Sequence, residues 1–442
     1  MKRKLLALTL TLVLALTACT PSDSGSAETG KDAISSDSAS TQKTLFGSKL
    51  KPTAEPTYPK AVAFDDYEGR RAVRDQYPVA DDVWNSMSDF SARSASLALC
   101  DKTENSLYSP LSLWFALAIC AESADGETRA ALQNALGYDG NLAEAAKAVY
   151  NRLYTDNKIG AMKLASSLWV NEKFSVNQDF LTKAADSFYA HSYQCDFSDP
   201  ITGSAMGTWL DEATGGLLGG QTIATDPETL MTLFSAIYYS DQWIDEFDES
   251  DNTIDAFRNA DGTSCDVEYM NRTYFSHGWQ AGDGWISSGL SLKNGGSMYF
   301  VLPDEGVPPG ELLSDTETLS EILSRENEGG WGEVVFQIPK FEVNSSLDLK
   351  DTVTGLGAGM VFDPLQADFS NLSEEAMGLS SVKQEATLSI DEKGVTAAAY
   401  TQIDYAGAAP PNGRAELILD RPFLFFVTFG SAPLFIGTVN QM

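Results

Sequence analysis

The order of segments along the chain predicts an α+β fold, because helical patterns crowd the first half and strand patterns the second. With 442 residues, 43% of them apolar and 10% aromatic, the chain can bury a large core. No internal repeat and no second low-complexity stretch divides residues 81–442, so that span reads as one domain. Residues 83–100 have helical spacing, and residues 111–121 are apolar nearly all round, as expected of a helix buried on every side. Asp125, Gly126, Glu127 and Thr128 break that helix and open another toward Leu136. A strand over residues 165–170, a helix over 177–189 and a strand over 191–197 follow. Residues 230–239 read as a buried strand. Residues 290–302 read as two strands around the turn Asn294-Gly295-Gly296. Further strands are expected at residues 334–343 and 386–390, and two long apolar ones near the C-terminus flank Gly430 and Ser431.

Residues 1–18 are not part of that fold. Lys2, Arg3 and Lys4 precede an apolar run over residues 5–18, shorter than the roughly 20 residues a membrane span needs. The run ends Leu16-Thr17-Ala18-Cys19, which resembles the bacterial lipobox, in which the cysteine is lipidated and becomes the mature N-terminus. A plain secretory signal with a chance cysteine is the alternative. Residues 19–80 read as a lipidated Cys19 followed by a disordered tether rich in Ser, Asp and Gly. Such an anchor and spacer place the folded part on the extracellular face of the membrane. Cys100, Cys120, Cys195 and Cys265 remain, and export permits disulfides among them, although Cys120 sits in the apolar helix as a buried thiol would.

The formal net charge is −32, from 62 acidic and 30 basic residues, which disfavours nucleic acid and anionic membrane surfaces as partners. No G-x-S-x-G elbow, H-E-x-x-H pair or phosphate loop is present, and the carboxylates are scattered. No cofactor or metal is expected. His191, Tyr193 and Cys195 share one strand face, where side-chain packing is the simpler reading than a Cys–His catalytic pair. Nothing in the sequence reads as an active site, so no enzyme is expected.

The segment 390–422 is the most unusual. From Val395, alternate positions (Val395, Ala397, Ala399, Thr401, Ile403, Tyr405) make an almost wholly apolar face. The intervening Thr396, Ala398, Tyr400, Gln402 and Asp404 tolerate water. Alanine is a poor strand former, and the run ends in Gly407, Pro410, Pro411, Asn412 and Gly413. An ordinary edge strand followed by a turn is one reading. A segment of small side chains able to slide between existing strands is the other.

Motifs in sequence order resemble the serpin family over residues 83–442. They are Asn105 with Ser109-Pro110-Leu111-Ser112-Leu113, then Gly126-Glu127-Thr128, then Leu233 to Tyr239 with Trp243 and Phe247. Val301-Leu302-Pro303-Asp304-Glu305, Ile338-Pro339-Lys340-Phe341 and Ala367-Asp368-Phe369-Ser370 follow, before Asp391-Glu392-Lys393-Gly394 with Ala397-Ala398-Ala399, and Arg421-Pro422-Phe423-Leu424-Phe425. Ser235 stands where the family usually has asparagine. The resemblance implies helices packed on three β-sheets, with an exposed reactive loop from Glu392 to about Gly413. It further implies a monomer that traps serine proteases as covalent acyl complexes. The hinge would comprise Glu392, Gly394, Val395, Thr396, Ala397, Ala398 and Ala399, with Val395 and Thr396 departing from the usual Thr or Ser and Glu. Ser109, Ser112 and Gln384 match the polar cluster under the opening strands, with Gln384 in place of a common histidine, and Trp243 matches the aromatic where the loop first enters. The family spacing, sixteen residues on from Glu392, places the scissile bond at Ala408-Ala409. Counting back from Pro422 gives Pro411-Asn412, and Arg414 is a further alternative suited to a trypsin-like enzyme. Small residues at the bond imply elastase-like or subtilisin-like targets. A serpin-fold surface binding protein that never inserts its loop is the competing function.

Overall fold

The computed structural model describes residues 50, 52–216, 222–325, 329–395, 413–430 and 432–442. Cys19, Thr396, Ala397, Ala398, Ala399, Ala408 and Ala409 lie outside these residues.

The predicted α+β class holds. Helices Asp81–Leu99, Pro110–Ser123, Gly126–Leu136 and Leu142–Leu153 come first, and the chain closes on the strands Phe423–Phe429 and Ala432–Val439. Pro110–Ser123 is buried at every position, as its all-round apolar sequence requires. Ser109 caps it by accepting from the Ser112 N–H at 3.2 Å, and Pro110 opens the first turn, where its missing N–H costs nothing. No described helix is long and apolar enough to cross a membrane.

The central sheet runs in the spatial order Pro52–Ala54, Ala190–Cys195, Ala161–Asn171, Met231–Gln242, Gly394–Val395, Ser381–Asp391, Phe341–Asp348. Apolar residues on both faces of its inner strands enter two separate cores, which is why these strands do not read as a simple alternation of apolar and polar residues. Leu164, Leu168 and Val170 join the main core beneath the helices, whereas Ala165 and Trp169 join Tyr193, Trp209 and Phe234 on the opposite face. The three sheets implied by the resemblance are connected here as two hydrogen-bonded networks. Two of them share the 19-residue strand Ser264–Gly282, which pairs along its length with Thr253–Arg258, Gly329–Pro339 and Trp285–Ser291.

Three expectations need correction. Residues 334–343 are not one strand but parts of two, Gly329–Pro339 and Phe341–Asp348, and the chain changes sheets at Lys340. The strand Ser264–Gly282 was passed over: Cys265, Val267 and Tyr269 alternate with polar residues at its start, but from Met270 onward the alternation breaks down. The segment 52–80 is not a disordered tether. Pro52–Ala54 pairs antiparallel with Ala190–Cys195, and Asp66 caps the helix Tyr67–Gln76 through the Gly69 N–H at 2.8 Å. Tyr58 stacks within 6.5 Å of the rings of Tyr150, Tyr154 and Tyr189. Ring contacts and an open sheet edge, neither visible in local composition, order this stretch.

Candidate functional site

The strands Met231–Gln242 and Ser381–Asp391 run parallel and pair directly only at their lower ends, from Thr232–Ser381 to Ala236–Glu385. Above that point the chain leaving Asp391 turns at Glu392 and Lys393 and comes back between them. Gly394 and Val395 pair with Asp391 and Ile390 on one side and with Gln242 and Asp241 on the other. The start of the hinge is therefore already a two-residue strand inside the central sheet. A Cβ on Gly394 would lie 2.2 Å from the carbonyl oxygen of Asp241, so only glycine lets the returning chain approach this closely. Val395 is fully buried.

Within the turn Glu392 is buried while Lys393 is exposed, which corrects the expectation of an exposed loop beginning at Glu392. The carbonyls of Asp391, Glu392 and Lys393 accept from the Trp243 indole N–H, the Phe247 N–H and the Trp243 N–H, each at 2.9 Å. Trp243 is completely buried against Phe247, so its ring packs in the core while its two N–H groups fasten the turn. The Glu392 carboxylate accepts from Asn252 at 2.6 Å and pairs with Lys340 at 2.5 Å. Burial pushes this carboxyl up, but those hydrogen bonds and the Lys340 charge outweigh it and hold the group below the usual glutamate range.

Asp241, the ladder partner of Val395, has the opposite balance. Its carboxylate accepts from the Gln242 N–H at 2.9 Å, from the Asn294 N–H and side-chain amide, both at 3.0 Å, and from Tyr239 at 3.4 Å. Burial nevertheless pushes its pKa up to about 6. Sequence reading missed Asp241, Asn252, Asn294 and Lys340 as parts of this region. The one signal available was an acid inside an otherwise uncharged, buried strand.

At the lower end, Gln384 accepts from the Ser109 N–H at 2.6 Å and donates to the Ser109 carbonyl at 2.9 Å. Ser109, Ser112 and Gln384 thus lie together here, whereas Trp243 sits apart at the upper end. The hydroxyls of Ser112, Ser166 and Ser235 are buried there without a hydrogen-bond partner.

The described chain resumes at Gly413, whose carbonyl accepts from the Glu333 N–H at 3.0 Å. A Cβ on Gly332 would sit 2.2 Å from that carbonyl, and the Trp279 ring packs against both Gly330 and Gly413. Arg414, the alternative cleavage residue, begins the strand Arg414–Ile418, and its guanidinium pairs with Glu333 and Glu416. It is held in a ladder rather than presented in a loop.

His191 and Cys195 are both buried on the strand Ala190–Cys195. Burial pushes the imidazole down to about 4 and the thiol up to about 12, and His191 stacks on Tyr193. All four described cysteines are free, Cys120 buried in its helix.

A family model described as "Serpin (serine protease inhibitor)" matches residues 85–442. An uncharacterized serpin-like protein of Methanosarcina acetivorans is 26% identical, over 77% of this chain and 82% of that one. The alpha-1-antiproteinase of Rattus norvegicus is 25% identical, over 86% and 94%. Among solved structures, the thermophilic serpin tengpin in its native state superposes with a TM-score of 0.74 at 27% identity, covering 88% of this chain and 98% of that one. Human thyroxine-binding globulin complexed with thyroxine shares the fold at 22% identity, with a TM-score of 0.71 over 81% and 99%.

Proposed function

This chain belongs to the serpin family, and from that premise we propose that it is a surface-anchored inhibitor of serine proteases with elastase-like or subtilisin-like specificity. One observation carries the reading: the hinge residues Gly394 and Val395 already stand as a wedge between two strands that are zipped together below them. The residues that follow in sequence, with alternate small or apolar side chains, are suited to continue that strand.

In this reading the protease's serine Oγ attacks the carbonyl carbon of Ala408. The peptide bond to Ala409 breaks, the new amine leaves with a proton, and the acyl ester remains. Freed at its far end, the loop enters the sheet below Val395. Sixteen residues at about 3.3 Å each carry the tethered enzyme on the order of 50 Å. A dozen or so new ladder bonds at about 1 kcal/mol each supply on the order of 10 kcal/mol. That exceeds the few kcal/mol that order a catalytic loop, so deacylation stalls. No catalytic side chain of this chain takes part.

Mixing the folded domain with pancreatic elastase, neutrophil elastase or subtilisin should give a covalent complex that survives boiling in detergent. If every one of these enzymes nicks the loop and dissociates, the protein is instead a non-inhibitory serpin-fold binding protein. The lipid anchor at Cys19 has its own test. Cys19→Ser should move the protein from the membrane fraction to the medium, and retention at the membrane would remove the anchor from the proposal.

A further inference from the structure

Two large side chains stand out on the sheet surface where the reactive loop rejoins the fold. Phe275 is 73% exposed and Trp331 is 59% exposed, although both lie in paired strands. The ladder explains the first. His277 pairs with Gly332 and Tyr274 with Val334, so Phe275 and Ser276 together oppose the single residue Glu333. Tyr274 and His277 both turn inward against Phe336, at ring separations of 5.9 and 5.6 Å. The bulge between them leaves Phe275 directed to solvent, a device by which strands re-aim a side chain. Trp331 is exposed but not loose. Its indole N–H donates to the Ser276 hydroxyl at 2.8 Å, and its ring covers Gly278, where a Cβ would lie 3.2 Å from it.

These aromatics adjoin the loop's exit. Gly332, next to Trp331, abuts the Gly413 carbonyl. From Ala409 to Gly413 the chain spans at most about 15 Å when fully extended. A protease of ~220 residues has a radius of gyration of about 17 Å. An enzyme seated on the bond Ala408-Ala409 is therefore within reach of this surface. Tryptophan fixed in one orientation is well suited to contribute binding, since little side-chain freedom remains to be lost. Glu333, Arg414 and Glu416 supply a charged rim.

We propose that Phe275 and Trp331 form a secondary docking surface for the target protease, engaging an apolar patch beside the enzyme's cleft while the loop occupies that cleft. The proposal rests on the inhibitory reading. It assigns to this surface the rate at which a target is captured, and leaves to the loop what happens after cleavage.

The test compares wild type with Phe275→Ser, Trp331→Ala and the double variant, using the same three proteases. The association rate constant should fall about tenfold or more in the double variant. The stoichiometry of inhibition, the detergent stability of the complex and the melting temperature should not change. Phe275→Ser, at the more exposed position, should reproduce part of the loss if Trp331→Ala perturbs the fold. Equal association rates in variants and wild type, with complexes still forming, would overturn the docking surface and leave the inhibitor intact. The same result, accompanied by a wild-type dimer that the variants dissociate, would assign the patch to a second copy of this chain. Absence of a complex with the wild type would remove the inhibitory reading and this surface with it.

Discussion

At its lower end the pair formed by Met231–Gln242 and Ser381–Asp391 is zipped, residue against residue, from Ser381 to Glu385. At its upper end the same two strands are held apart by Gly394 and Val395. The contacts differ in kind as well as in place. The upper end is the more heavily bonded: three consecutive carbonyls are capped by Trp243 and Phe247, and Glu392 is paired with Lys340, with the Asn252 Oδ1 left unpaired beside it. Beside its ladder the lower end has two hydrogen bonds between Ser109 and the Gln384 amide, one accepted and one donated by that amide, with the Ser112, Ser166 and Ser235 hydroxyls buried nearby and unpaired. Unpaired buried hydroxyls are a cost that a rearranged sheet could relieve. The hinge is thus firmly started at the top, and the remaining obstacle is a short ladder with an imperfect polar latch.

The sharpest way to break this contrast is Val395→Arg. A charge at that fully buried position costs several kcal/mol whether the loop is parked or inserted. Inhibition should be lost wholesale, with the protease turning the variant over as substrate, as a stoichiometry titration would read. A variant that still inhibits one-to-one would mean that the wedge is not the start of insertion.

Next in size is the effect of a clean nick at Ala408. If the lower ladder opens to accept a full strand, an added ~10 kcal/mol should raise the melting temperature by about 13 °C, since each kcal/mol moves a domain of ~360 residues by roughly 1.3 °C. An unchanged thermogram after verified cleavage would show the two ends of the strand pair frozen as they stand.

Gln384→Ala probes the latch alone. It leaves the Ser109 N–H and carbonyl buried without their partner and should destabilise the native state by about 2 kcal/mol. It should also hasten spontaneous loss of inhibitory activity on warming, because the ladder above Ser381 opens more readily. Wild-type stability and shelf life would show that the latch is ornamental.

The smallest effect separates the two carboxyls at the upper end by pH. Asp241 binds its proton more tightly when folded, at about 6 against an ordinary value of 3.8, so stability should fall as pH rises through that interval and level off above it. Glu392 is held down instead. Its contribution is present above the usual glutamate range near ~4.3 and is lost as pH falls below it. Asp241→Asn should therefore flatten the urea midpoint between pH 4 and 6, an effect on the order of 2 kcal/mol, and leave the decline at lower pH. A slope that survives in the variant would assign the titration elsewhere.

Much of this molecule was legible before any coordinates. The buried helix Pro110–Ser123 announced itself by apolar residues on every face and by Ser109 and Pro110 at its start. The C-terminal strands were runs too long and too apolar to be anything exposed. The alternation beginning at Val395 marked an unusual segment, and the resemblance to a family made it a hinge. Such patterns are local, because helix and strand periodicities and cap chemistry are settled within a few residues. The segment 52–80 shows the limit. Its composition argues for solvation, but Tyr58 finds three aromatic rings and Pro52–Ala54 finds a free strand edge.

By itself the sequence determined the α+β class, the order of elements, and which face of the hinge can be buried. Only the tertiary structure decided that Gly394 and Val395 are already in the sheet, that Asp241 faces them, and that Gln384 ties the strands below to Ser109. Those pairings join residues more than 100 positions apart, and the energy of a contact lies in partners that local spacing along a chain does not name.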